Sequence, residues 1–299
     1  MLLSESKIVI EALAQLVLKS TVSADDRRAV ANKFFLDHAG AHEEIEDIKN
    51  FSILISGDFQ IPVRLYQVNN SKKVCLFIHG GGWIQGNLDT HDYLCRKIAK
   101  ICEVNVLAVD YRLAPEHEFP IPLNDVNCVY SWCCGRYDEI WLSGDSAGGN
   151  LCAAICIQAA KTRKPDAMIL FYPALGSDFN SESYEKYADI PTLSKPSVKY
   201  FLSKYIGNQS ADNKLISPIL EDNMDVFPKT FIVSAGCDVL LSEQKIFCEK
   251  MQKSNNICQQ LVLNGAVHGF MSYGREFDEY NTEILKQISD WLRTVFKLA

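Results

Sequence analysis

Apolar and polar positions along this chain fall into blocks of changing period. Val74–Ile78, Val104–Val109, Ile140–Ser143, Ala167–Phe171 and Thr230–Ser234 are short, nearly continuous apolar runs, and Gln259–Leu263 is a further short strand candidate. That pattern predicts strands covered on both faces. Helical stretches lie between them: Thr90–Cys102, Pro120–Cys134, the apolar dozen residues after Ser146, Ser242–Lys253 and a final helix Glu276–Lys297. Phe51–Ser56 and Ile61–Val68 read as two more strands around a Gly57-Asp58 turn, a hairpin signal. Strand–helix–strand repetition with apolar strands predicts an α/β fold: a mostly parallel eight-stranded sheet flanked by helices.

Two regions depart from the alternation. Residues 1–45 read as helices, and in MLLSESKIVIEALAQLVLKS the polar Lys7, Glu11, Gln15 and Lys19 recur four apart. This puts a polar stripe on one side of a helix and breaks the continuous apolar core a signal peptide needs. Such a helix packs on its own protein, with a lipid surface as the lesser alternative. Residues 176–225 carry Ser, Asp, Pro and Lys, with one amphipathic helix near Ser197–Tyr205. Both regions are candidates for a helical lid, leaving 46–175 and 226–299 as the core.

The chain has 299 residues, 47% hydrophobic and 22% charged, ample for a large core. A net charge of −7 and the lack of any Lys/Arg run make nucleic acid and anionic membranes poor partners. No run reaches the roughly eighteen uncharged apolar residues of a membrane-spanning helix. The eleven cysteines are odd in number and mostly sit in apolar segments. Cys152 and Cys156 share a helix face, but with no nearby His or further Cys they predict no zinc site. Reduced, buried thiols imply a cytoplasmic protein.

The chemistry concentrates at Ile140–Ala160, IWLSGDSAGGNLCAAICIQAA. Between strand and helix lies Gly144-Asp145-Ser146-Ala147-Gly148, a G-x-S-x-G turn. Such a turn forces the serine into a strained conformation with its hydroxyl exposed, and a β-carbon on either glycine would collide with a neighbouring strand or helix. Two glycines and a serine at this spacing arise by chance in about one chain in ten of this length, and a helix-capping serine is the plain alternative. A serine nucleophile also needs a base, and the base an orienting carboxylate, in the order Ser, then Asp or Glu, then His. Of the six histidines only His268 follows Ser146. It lies in the Gly-flanked segment Asn264–Phe270, taken as a loop after the last strand. Asp238 follows strand Thr230–Ser234 and a small-residue turn, where sites collect in open α/β sheets. Its alternative use is to cap helix 242–253. In His79-Gly80-Gly81-Gly82-Trp83, adjacent glycines let backbone N–H groups converge on an oxyanion, together with the N–H of Ala147. No G-x-G-x-x-G or GK[ST] pattern supports a phosphate loop instead. His79 is expected to fix the loop by hydrogen bonding.

With HGGGW at 79–83, DYRLAPEHEFP at 110–120, GDSAGGN at 144–150, a strand-end Asp238 and HGF at 268–270, the chain resembles the hormone-sensitive-lipase-like family of α/β-hydrolases from about residue 45 onward. The resemblance implies Ser146, Asp238 and His268 as a catalytic triad and Gly81, Gly82 and Ala147 as the oxyanion hole. It implies a cap from the N-terminal helices and 176–225 over a pocket for small-molecule esters of short- to medium-chain acids. Tyr184, Tyr187, Tyr200, Phe201 and Tyr205 supply aromatic bulk there. It also implies that Arg112 and Glu116 form buried ion pairs holding the oxyanion loop and the serine turn. No metal or organic cofactor enters such a mechanism. An amidase or arylacetamide-type deacetylase would use the same triad, and a hydrolase-derived receptor without turnover would lack a member of it. Relatives often dimerise, and apolar residues of the final helix read as exposed, so a homodimer is implied. Val239 and Glu118 depart from the family pattern, which often has Pro at both places.

Overall fold

The computed structural model describes residues 1–16, 24–56 and 59–297. The Gly57-Asp58 turn and Lys19 lie outside the described residues. In chain order come α1 (Ser4–Ala14), α2 (Ala24–His38), β1 (Asp47–Ser56), β2 (Phe59–Gln67), β3 (Lys73–Ile78), α3 (Asp92–Ile101), β4 (Asn105–Val109), α4 (Ile121–Cys134), β5 (Glu139–Asp145), α5 (Ala147–Ala159), β6 (Ala167–Phe171), α6 (Glu182–Lys186), α7 (Lys195–Ile206), β7 (Lys229–Cys237), α8 (Leu241–Lys253), β8 (Cys258–Val267) and α9 (Gly274–Phe296).

The eight strands form one sheet in the order β1-β2-β4-β3-β5-β6-β7-β8. The pairs β1–β2 and β2–β4 are antiparallel, and β4 through β8 run parallel. Alternate side chains of each strand enter different cores. Along β3, Val74, Leu76 and Ile78 join the core beneath α4 and α5, while Cys75 and Phe77 join the one beneath α3 and α9. Strands buried on both faces must read as continuous apolar runs, which is how the sequence exposes them.

Parallel strands all end at the same rim, and this rim collects the chemistry. His79 follows β3, Ser146 follows β5, Tyr172 follows β6, Asp238 follows β7 and His268 follows β8.

Four elements differ from the expectation, the first being β7, which runs through Cys237, so that the small-residue segment 235–237 is strand and Asp238 follows it directly. β8 continues through Val267, so Asn264–Val267 is strand and His268 emerges directly from its end. Gly265, at φ +82°, lets the strand bend there, and its carbonyl accepts the Leu3 N–H and the Ser6 hydroxyl, which docks α1. The short α6 was missed because five residues carry too little periodicity. The apolar residues of α9 are not exposed: Ile284, Leu285, Ile288, Trp291 and Leu292 are all buried in the second core. The predicted polar stripe of α1 does face outward at Lys7, Glu11 and Gln15. Among the described residues, no helix is long and apolar enough to cross a membrane.

Candidate active site

Ser146 occupies the single residue between β5 and α5, at φ +51° and ψ −116°, a region a non-glycine residue enters only under constraint. The constraint is visible. Its N–H donates to Phe171 O at 2.9 Å, and its carbonyl accepts from Asn150 N and Ala174 N, each at 3.1 Å. A β-carbon on Gly144 would lie 2.6 Å from the backbone of Gly148, and one on Gly148 would run into the Ile78 carbonyl. The two glycines thus let α5 press against β5 and β3, and the turn closes sharply enough to lift the serine above the rim.

Three side chains distant in sequence meet there. His268 Nε2 lies 2.8 Å from Ser146 Oγ, and His268 Nδ1 lies 2.7 Å from Asp238 Oδ2. All three residues are buried. Asp238 Oδ1 also accepts the Leu240 N–H at 3.0 Å, which fixes the carboxylate. One carboxylate thus holds both the turn ahead of α8 and the imidazole, but it does not cap α8, whose N-cap is Leu240 and carries no side-chain cap bond. Since an ionised carboxylate only accepts, the ring carries its proton on Nδ1 and leaves Nε2 to accept from the serine hydroxyl.

The glycine loop after β3 runs at φ +107° for Gly81 and +61° for Gly82. Both glycines line a cavity of about 80 Å³ with Ser146, His268, Phe201 and Tyr273. Ala147 opens α5 directly after the serine, where backbone N–H groups have no partner within the helix. His79 is fully buried, with Nδ1 2.8 Å from Gly80 O and its ring stacked on Tyr111 at 4.4 Å. Burial and the nearby His91 push its pKa down to about 3, so it stays neutral at pH 7. This fits a loop-fixing role.

Arg112 and Glu116 do not reach the glycine loop or the serine turn. Arg112 is bidentate to Asp125 on α4 at 2.6 and 2.8 Å, while Glu116 pairs with Arg28 of α2 at 2.7 Å and is largely exposed. They tie the 110–120 segment to flanking helices instead. The acid that does reach the glycine loop is Asp145, whose Oδ1 accepts the Gly80 N–H at 2.7 Å. Sequence reading passed over it. Its signal was a charge ending a buried apolar strand, which must find a partner.

Two further residues bear on the site: Glu243, which the sequence offers as a possible cap partner on the next helix, and Tyr172, which the sequence reading did not single out. Glu243 accepts the N–H groups of Leu175 and Gly176 at 2.6 and 3.2 Å. Complete burial, with Asp238 and Asp178 nearby, pushes it up to about 8. Tyr172, at φ +37°, lays its ring 4.8 Å from that of His268. Of the five aromatics expected in the lid, Phe201 lines the cavity, while Tyr205 is buried and stacks on Trp83 at 4.6 Å. Val239, where Pro was the family expectation, is buried, and its carbonyl accepts the Ser183 hydroxyl of α6.

Comparison with known proteins agrees with this fold. The family described as the alpha/beta hydrolase fold matches residues 75–272. A protein of Mycobacterium tuberculosis named carboxylic ester hydrolase LipN is 29% identical over 231 residues, which are 71% of this chain and only 61% of that protein. Carboxylesterase NlhH of the same organism is 31% identical over 242 residues, 76% of each chain. The solved structure of a hyperthermophilic esterase from the archaeon Pyrobaculum calidifontis superposes with a TM-score of 0.89 at 26% identity, covering 99% of both chains.

Proposed function

Because the chain belongs to the α/β-hydrolase family, in its hormone-sensitive-lipase-like branch, we propose that it is a serine carboxylesterase acting on short- to medium-chain acyl esters. The observation that carries this reading is the imidazole of His268, held between Ser146 Oγ at 2.8 Å and Asp238 Oδ2 at 2.7 Å. A hydroxyl is a poor nucleophile until a base takes its proton, and a base works only in the right tautomer.

In this mechanism Ser146 Oγ attacks the ester carbonyl as its proton passes to His268 Nε2. Asp238 stabilises the imidazolium and keeps its own charge. The N–H groups of Gly81, Gly82 and Ala147 receive the oxyanion. When the tetrahedral adduct collapses, the C–O bond to the alcohol breaks and His268 returns the proton to it. Water then attacks the acyl-enzyme by the same path, freeing the acid and restoring the serine.

The lid assignment rests on what surrounds the cavity. Phe35 comes from α2, and Thr192, Leu193 and Phe201 come from the 176–225 insertion. We assign residues 1–45 and 176–225 to the cap, and 46–175 with 226–299 to the hydrolase core. All eleven cysteines are free, which suits a reducing compartment, and the cytoplasm is the location we propose.

The test is turnover of p-nitrophenyl acetate and butyrate together with fluorophosphonate labelling. The wild type should do both, and Ser146→Ala should do neither. Unlabelled, inactive wild type would instead support a receptor without turnover, and faster cleavage of a matched anilide than of its ester would support the amidase.

A further inference from the structure

Beneath the glycine loop lies a buried pair that the scheme above does not use. The Asp145 oxygen that accepts the Gly80 N–H at 2.7 Å also stands 3.2 Å from Nε2 of His91, the residue before α3. Both side chains are at most 5% exposed. Among the described residues, His91 Nε2 has no hydrogen-bond partner, so the Asp145 carboxylate is what faces it. Its Nδ1 meets Thr90 Oγ1 at 2.8 Å, and that hydroxyl is tied at 2.9 Å to both the N–H and the carbonyl of Asn87. The ring is packed by Phe35, Phe77 and His79, at 5.7, 6.0 and 5.5 Å. His91 is therefore a fixed point, held from its own loop and from three neighbouring elements.

Two features connect this fixed point to the reaction. The first is contact: a β-carbon on Gly80 would lie 2.9 Å from the Asp145 carboxyl carbon, so the Gly80 backbone rests directly on that side chain. Gly81 and Gly82 follow at once, and the direction of their N–H groups is set from this bond onward. The second is charge. Burial would raise the Asp145 carboxyl, but the His91 ring and the Gly80 N–H outweigh it and hold the group below the usual carboxylate range. A charged acceptor makes a shorter, stronger bond to an N–H than a neutral one.

We infer that His91 and Asp145 are positioning residues for the oxyanion hole, His91 anchoring the carboxylate and the carboxylate holding Gly80 so that the N–H groups of Gly81 and Gly82 point at the developing oxyanion. The inference rests on the ester-hydrolase reading. Neither residue receives the serine proton in this role. Aim matters most when the negative charge is fully developed, so the contribution falls on the transition state more than on bound substrate.

The test compares wild type, His91→Leu, His91→Gln and Asp145→Asn. The readouts are kcat and KM on p-nitrophenyl acetate, inhibition by a trifluoromethyl ketone, and Tm. The ketone adds to Ser146 and forms a stable tetrahedral oxyanion, so it reports on the hole itself. Losing an oxyanion donor costs about 10²–10³-fold in kcat, and a misaimed one should cost roughly ten- to a hundredfold. His91→Leu should show that loss with KM changed by less than about threefold, and with the ketone weakened by the same factor as kcat. His91→Gln, which places a polar N–H beside the carboxylate, should recover most of both. Asp145→Asn, which keeps an oxygen for Gly80 but not the charge, should fall between.

Equal losses in the Gln and Leu variants, or unchanged ketone affinity in His91→Leu, would overturn the inference. If His91→Leu does not fold, Asp145→Asn decides: lowered Tm with unchanged ketone affinity would leave the pair only a structural role. A wild type that neither cleaves the acetate nor takes a fluorophosphonate would sink the ester reading and this inference with it. An active wild type with insensitive variants would sink this inference alone.

Discussion

Tyr172 lays its ring against that of His268, with 4.8 Å between ring centroids and a tilt of 58°, from a backbone held at φ +37°. A bulky residue rarely tolerates such a backbone, and the surrounding structure must supply the compensation. Here the Tyr172 N–H donates to Val233 O at 2.6 Å, locking the bend between β6 and β7. The ring then closes one side of the imidazole and restricts its rotation away from Ser146. Its hydroxyl is buried without a hydrogen-bond partner among the described residues. Tyr172→Phe should therefore fold as well as wild type or gain up to ~1 kcal/mol, since it removes an unpaired polar group. Tyr172→Ala should lose about 3–5 kcal/mol from the cavity alone and lower kcat as well. Urea denaturation beside ester kinetics separates the two effects.

Asp238→Asn tests the orienting carboxylate without removing its structural bond. The asparagine oxygen can still accept the Leu240 N–H, so Tm should change little. The amide cannot stabilise an imidazolium and favours the wrong ring tautomer. A loss in kcat of about 10⁴-fold is expected, measured on p-nitrophenyl butyrate. Retention of more than about a tenth of the activity would mean another acid holds His268.

Glu243 makes stability depend on pH in a definite direction. Its usual value of 4.5 is pushed up to about 8 by burial, with Asp238 and Asp178 adding to it. Between those values the folded protein keeps the proton while the unfolded chain releases it, so the unfolded state gains on the folded one as pH rises. The contribution is complete below 4.5 and is lost as pH climbs through about 8. Glu243→Gln keeps an acceptor for the N–H groups of Leu175 and Gly176 but does not titrate. Its Tm should fall less steeply than that of wild type across this window. Parallel curves for the two proteins would show that the carboxyl does not titrate there.

Gly148→Ala should destabilise the fold and not merely slow the enzyme. The added carbon would meet the Ile78 carbonyl and lie 2.7 Å from His79 O, in the backbone that leads into the glycine loop. Overpacking of this kind costs roughly 1–3 kcal/mol, and more where only backbone can yield. Gly135→Ala is the control. Its nearest neighbour, Trp132 O, is 3.8 Å away, so the change should be neutral or stabilise by up to ~1 kcal/mol. Chemical denaturation of both variants checks the contrast.

Phe201 should limit substrate size. The cavity at Ser146 is about 80 Å³, roughly half the 150 Å³ that holds a benzene ring in a protein interior. On the other side of Phe201 and Gln85 lies an apolar groove of about 330 Å³ between α2 and α7, lined also by Ile84, Pro196 and Tyr200. Phe201→Ala should join the two and move the optimum of kcat/KM toward longer acyl or alcohol chains. A panel of p-nitrophenyl esters from acetate to decanoate, run beside alkyl acetates, reads which half of the ester uses the groove. An unchanged profile in both series would place the size limit elsewhere.

The strands were legible because a sheet covered on both faces leaves its inner strands mostly apolar, as β3 and β6 show. The serine turn was legible because only glycine fits where α5 meets β3. Elimination by chain order found His268, and small residues at a strand end pointed to Asp238. What failed had two causes. Arg112 and Glu116 were assigned to the glycine loop, yet they bond to Asp125 and Arg28, because charge alone does not say which opposite charge is near. β8 was ended too early since Gly265 reads as a breaker, whereas in the fold its positive φ is a bend within a strand held by α1.

The amino-acid order by itself determined the alternation of strands and helices, the strained serine between Gly144 and Gly148, and the small set of side chains able to serve it. These are local properties, fixed by steric fit and by which faces must leave water. Only the tertiary structure decided which carboxylate meets which base: that Asp238 faces His268 while Asp145 lies under Gly80 beside His91. The same holds for the size of the space above the serine. Hydrogen bonds and ion pairs depend on separations of a few ångströms between residues far apart in the chain, and those separations exist only once the parallel strands have brought their ends to one rim.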